Sequence, residues 1–401
     1  MDSEKKYVFT ERAHYMCPNM HFGIIASIKR VFYKDKIVEG LKALQEAHPF
    51  LKSVIMEEIG NGKIYYQESE IEIPFIVSEN SWQLDYDRIA LEGWNVKKDC
   101  LLKVYAYPRA GMFDILFVSH HLLCDGRGLL QLVEEFTDFY EKGKKPDRVE
   151  EKLISGLGDL PPKSDLPFMS KSVIKSANKK WRKEGKIVSY DDYLLFEKSY
   201  NKAHTFNRKT IEVQGGELDK IVKTCKDNGV SVNDYLIAKM MIEEKTDKVI
   251  IAEDIRNKIK NYNKGAMGNY ATAFSVVVKK KSNDKVALSK QVSAVIKKII
   301  SNPQQEMLVL ACYINMNPDL LDAVPISTLG NFSSKAGLFV GSKMFGYEKR
   351  EGHCITNLGK IENSIITKAT FIPPASPANK KAWGVLTVNN NMSICELTSK
   401  G

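Results

Sequence analysis

Several common catalytic signatures are missing from this sequence. There is no GxxxxGK[ST] phosphate loop, no GxSxG elbow and no HExxH pair, so P-loop, α/β-hydrolase and zincin chemistries lose their anchors. Long apolar runs are missing too. Charge-free apolar stretches such as 269–278 and 307–316 fall well short of the roughly 20 residues that a membrane helix needs, so no membrane span is expected. The opening MDSEKKYVFT is polar and has no apolar core, which argues against a secretory leader. The seven cysteines (Cys17, Cys100, Cys124, Cys225, Cys312, Cys354, Cys395) show no CxxC or CxxH spacing. An odd, dispersed set of this kind predicts reduced thiols, no structural zinc and a cytoplasmic location. Internal repeats of 20–50 residues and low-complexity tracts are absent as well.

What is present is ordinary globular composition. The 401 residues are 43% hydrophobic and 27% charged, close to the averages for folded soluble chains. This length suits one large domain or two of about 200 residues. Charge is lopsided, with 59 Lys+Arg against 49 Asp+Glu and a formal net charge of +10. Much of that excess sits between Lys163 and Lys209, where 12 basic residues face 5 acidic ones. This stretch reads either as a solvated Lys-rich connector or as a docking surface for an anionic partner. No nucleic-acid motif accompanies it, so nucleic acid is not expected as the partner.

The periodicity predicts an α/β chain. Strand-like runs at 22–33, 101–107 and 113–119 alternate with helical patterns at 34–47, 83–93 and 127–141. Regular patterning breaks down from about 142 into Gly, Pro and Lys. It resumes near Arg208 with a strand at 209–214, helices at 216–227 and 232–245, a strand at 248–252, a long helix at 284–301 and a closing hairpin around Asn389-Asn390-Asn391. We therefore expect a lobe at 1–160, a basic connector at 161–207 and a second lobe at 208–401. Both halves mix sheet and helix, as a pseudo-duplicated chain would.

With only seven histidines in the chain, the adjacent pair in His120-His121-Leu122-Leu123-Cys124-Asp125-Gly126 stands out. Imidazole is the side chain best suited to accept a proton near neutral pH. Strand alternation would turn the two rings to opposite faces, so only one can face a given cavity. A His and an Asp at this spacing also suit a buried hydrogen-bonded pair, or two of three metal ligands with the third unspecified among His14, His21, His48, His204 and His353.

This heptad resembles the HHxxxDG motif of the CoA-dependent acyltransferase superfamily, which contains condensation domains and alcohol acetyltransferases. Further segments are similar in family order: ALQEAHPFLKSVI (43–55), SVNDYLIAKM (231–240), EDIRN (253–257), MGNYATAFSV (267–276) and ITNLGKI (355–361). The resemblance implies two chloramphenicol-acetyltransferase-like lobes with a tunnel between them. It implies His121 as general base for attack of an alcohol or amine on an acyl-CoA thioester, with no metal. By the same resemblance Asp125 pairs with Arg256 of the other lobe, His120 supports the loop, and Gly126 gives the pantetheine arm clearance. Thr356 and Asn357 are the implied oxyanion donors. An acidic acyl or peptidyl carrier protein is the alternative donor, and a non-catalytic binding relative is the third reading. The sequence departs from the family at Arg127, where condensation domains have an aromatic, and in lacking the DFGWG segment of the plant branch.

Overall fold

A computed structural model describes residues 5–58, 62–260 and 262–400; residues 1–4, 59–61, 261 and 401, including the start of the polar opening segment, lie outside the described residues. Element type follows the hydrophobic period. Residues Ile115 to Val118 form an unbroken, fully buried run, as a strand covered on both faces requires. After the HHLLCDG loop the period becomes helical, with Leu129, Leu132, Val133, Phe136 and Tyr140 on the buried stripe.

In chain order the strands are β1 (Lys6–Tyr7), β2 (His21–Ile28), β3 (Ser53–Glu57), β4 (Ile64–Glu68), β5 (Phe75–Val77), β6 (Leu102–Arg109) and β7 (Met112–His120), then β8 (Thr205–Gln214), β9 (Lys248–Asp254), β10 (Ala271–Val277), β11 (Gly352–Ile361), β12 (Ile366–Ile372), β13 (Asn379–Val388) and β14 (Asn391–Lys400). The helices are α1 (Lys34–Ala47), α2 (Trp82–Glu92), α3 (Gly126–Lys142), α4 (Phe168–Glu184), α5 (Tyr190–Ala203), α6 (Gly215–Asp227), α7 (Val232–Glu243), α8 (Lys285–Ile300), α9 (Pro303–Glu306), α10 (Leu308–Asn315), α11 (Pro318–Leu329) and α12 (Lys335–Val340).

The strands form three sheets: a five-stranded one in the order β12-β2-β7-β6-β5, a six-stranded one in the order β10-β9-β11-β13-β14-β8, and a small β1-β4-β3 sheet. Each large sheet is built mainly from one half of the chain, with one exception. Strand β12, from the second half, leaves the six-stranded sheet and pairs antiparallel with β2 (Ala369 opposite Ala26, Phe371 opposite Ile24). The second lobe expected at 208–401 thus contributes an edge strand to the first lobe's sheet. Gly384 permits this crossing, because a Cβ there would run into the carbonyl oxygen of Phe371.

The basic stretch expected as a solvated connector is largely helical. Ile174, Ala177 and Trp181 of α4, and Tyr190, Tyr193 and Tyr200 of α5, are buried in the same apolar cluster as the five-stranded sheet. The lysines occupy the other face. The hairpin between β13 and β14 turns at Asn389 and Asn390, with Asn389 in the left-handed region at φ 53°, a conformation that Asn tolerates better than most residues.

Candidate active site

The histidine loop begins where β7 ends. His120 pairs across the sheet with His21 of β2, and the His121 N–H donates to the carbonyl of Met20 at 2.7 Å. Consecutive side chains then diverge. His120 turns into the core beside Trp94 and accepts from the Leu122 N–H through Nδ1 at 3.2 Å. Burial, reinforced by His21 and His121, pushes it well below the ordinary imidazole range, so it stays neutral and supports the turn.

His121 faces the other way and is half-buried. Its Nδ1 lies 2.8 Å from Oδ1 of Asn269, and Nδ2 of Asn269 donates to the His121 carbonyl at 2.6 Å. The second bond fixes the amide orientation, because only the NH2 end can donate to a carbonyl. Oδ1 must then accept, so Nδ1 carries the proton and Nε2 keeps its lone pair. Burial lowers the His121 pKa below the ordinary value; the Asn269 bond and the Asp125 charge oppose that shift. One face of the ring packs against Phe22 at 4.8 Å, and His14 stacks on it at 4.2 Å with an interplanar angle of 16°.

Asp125 is turned away from this ring and ties three elements together. Oδ1 accepts from the Gly128 N–H at 2.9 Å, capping α3, and from Nη2 of Arg256 at 2.8 Å; Oδ2 accepts from the Tyr270 N–H at 2.8 Å. Arg256 follows β9 and also holds Asp254 at 3.0 Å. Burial alone would raise the Asp125 carboxyl, but the Arg256 charge and these donors outweigh it and hold the group below its ordinary range. The pair therefore pins the loop of one large sheet to two strands of the other.

Gly126 opens α3 where β11 and β12 approach it. A Cβ there would lie 2.7 Å from Cδ2 of Leu358 and 3.3 Å from the Phe371 ring. The absent side chain lets β11 and β12 close on α3. Arg127 braces the same contact by donating to the Leu358 carbonyl at 2.6 Å. Thr356 and Asn357 lie on β11, where Asn357 Oδ1 accepts from the Gly359 N–H at 2.9 Å. Among the described residues no hydrogen bond joins either of them to His121.

Two residues at the site were given no role by sequence reasoning. Asn269 lies inside the MGNYATAFSV segment, but only its position in three dimensions shows that its amide meets His121. His14 was one of several scattered histidines, and nothing in its local sequence points to a partner 107 positions away. Cys124, inside the motif, is fully buried, and burial pushes its thiol far above the ordinary range, so it is no nucleophile. Among the described residues no group of three or more His, Cys, Asp or Glu is placed to hold a metal ion, and no helix is long and apolar enough to cross a membrane.

No family model and no curated protein sequence matches this chain. Solved structures do. The trichothecene 15-O-acetyltransferase TRI3 from Fusarium sporotrichioides is similar at a TM-score of 0.65 and 11% identity, over 99% of this chain and 91% of that one. Polyketide synthase associated protein 5 from Mycobacterium tuberculosis is similar at 0.57 and 13% identity, over 98% and 92%. The first condensation domain of the calcium-dependent antibiotic synthetase is similar at 0.60 and 10% identity, over 99% and 91%. The chain therefore has a two-lobed α/β fold of the condensation-domain type. More particularly, it shares this fold with an O-acetyltransferase and with a polyketide-synthase condensation domain.

Proposed function

We propose that this protein is an acyltransferase that moves an acyl group from a thioester to a hydroxyl or amine acceptor, with His121 as general base. The observation that carries this reading is the His121–Asn269 pair: one ring nitrogen is committed as a donor, and the other is left basic on a half-buried ring. In the reaction, Nε2 takes the acceptor proton as the acceptor oxygen or nitrogen bonds to the thioester carbonyl carbon. Collapse of the tetrahedral adduct breaks the C–S bond, and Nε2 returns the proton to the departing thiolate. Positioned proton transfer of this kind contributes roughly 10²–10⁴ in rate, and alignment of the two substrates adds to it. No covalent enzyme intermediate is needed, in keeping with the buried Cys124.

Acyl-CoA is the donor proposed first. The exposed Lys171, Lys175, Lys179, Lys180, Arg182 and Lys183 of α4 favour an anionic donor, whether CoA phosphates or an acidic carrier protein. The test is thiol release from acetyl- and longer acyl-CoA, followed with DTNB across a panel of alcohols and amines. The reading predicts release that depends on acceptor and falls with salt. If acyl-CoA is inert and an acyl-loaded carrier protein transfers, the donor assignment changes to a carrier. If neither transfers to any acceptor, the enzymatic reading fails in favour of a binding protein.

A further inference from the structure

His14 belongs to a one-turn segment, the 3-10 turn Thr10–His14, that is remote from the histidine loop in sequence yet reaches both His121 and its partner Asn269. The first contact is the ring stack on His121, at 4.2 Å and 16°. The second runs through Glu11. This carboxyl is 1% exposed, takes a hydrogen bond from Thr10 at 3.2 Å, and faces the backbone N–H of Asn269, the residue whose amide holds the His121 ring. The turn is itself anchored. Arg12 donates to Asp322 of α11 through Nε at 3.0 Å and Nη2 at 2.5 Å, and both side chains are buried. A turn held this firmly presents the His14 ring at a fixed place.

Resting on the general-base reading, we propose that His14 is a positioning residue for His121: its ring fixes the plane of the base, so that Nε2 stays aimed at the acceptor. Asn269 restrains one edge of the His121 ring and Phe22 touches its tilted face; His14 covers a face in parallel, the contact that opposes rotation about the Cβ–Cγ bond. Catalytic groups held to within about 10–20° of productive geometry need such packing around them, and loss of alignment alone is able to lower rates by about 10²-fold. The role needs a flat ring rather than a titrating one, and this separates it from a second base.

The test is steady-state kinetics of His14→Ala, His14→Gln and His14→Phe, with thermal melting as the check on folding. We expect Ala and Gln to lower kcat by about tenfold or more with KM changed little, and Phe to restore kcat to within about threefold of wild type. Should Ala fail to fold, Gln carries the same comparison. Unchanged kcat in folded Ala and Gln variants overturns the proposal. So does a Phe variant as slow as Ala, which would assign the role to the imidazole nitrogens instead. His121→Ala separates the two levels: if it is fully active the general-base reading falls, whereas if it is inactive and the His14 variants are normal, only the positioning role falls.

Discussion

At the scale of single residues, the site depends on which nitrogen of His121 holds the proton. Asn269 decides this by donating to the His121 carbonyl with one end of its amide and accepting from Nδ1 with the other. Asn269→Ala should therefore lower kcat by about 10-fold or more, and Asn269→Asp should change the pH profile, since a carboxylate beside Nδ1 favours the imidazolium. Normal kinetics in both variants would exclude the tautomer argument. The prominence of His121 was legible in the sequence because two adjacent histidines in a histidine-poor chain invite attention. Asn269 and His14 were not, because polar residues carry no periodicity and the contact that gives each its role is made by tertiary folding alone.

At the scale of elements, the strand, turn and helix across Met112–Lys142 could be read directly from the change of hydrophobic period, and its edges agree within a residue or two. Helix α4 escaped notice for a physical reason. A helix lying on the surface needs only a narrow buried stripe, and Ile174, Ala177 and Trp181 are three apolar positions among many lysines. The destination of β12 was equally hidden, since alternation in a strand does not say which sheet it joins. The junction between the large sheets depends on the Arg256–Asp125 pair. Removing one partner of a buried ion pair costs roughly 3–5 kcal/mol; the Gly128 and Tyr270 N–H groups still serve Asp125, so Arg256→Ala should destabilise by about 3 kcal/mol. Urea denaturation checks this, and an unchanged midpoint would show that the bridge does not hold the lobes together.

At the scale of the whole molecule, burial of histidines links stability to pH. Desolvation lowers His14, His120 and His121, and takes His21 from 6.5 to about 3. A group with a depressed folded pKa contributes stability that is complete above its unfolded pKa and is lost as pH falls towards the folded value. Burial raises Glu11 and Glu197 to about 7 and Asp322 to about 6, which acts in the opposite sense. The four histidines outnumber these three carboxyls, so melting temperature should decline as pH falls below about 6.5, before ordinary carboxylates titrate. A flat profile down to pH 4 would contradict it. The net charge of +10 now has a location: α4 carries part of the excess on its exposed face. The proposed acyl transfer rests on Nε2 of His121 taking the acceptor proton. The most direct test compares acyl transfer by wild type and His121→Ala on the same thioester and acceptor. The account predicts a fall in kcat/KM of about 10²–10⁴-fold in a variant that melts normally. Transfer at the wild-type rate by that variant would contradict it.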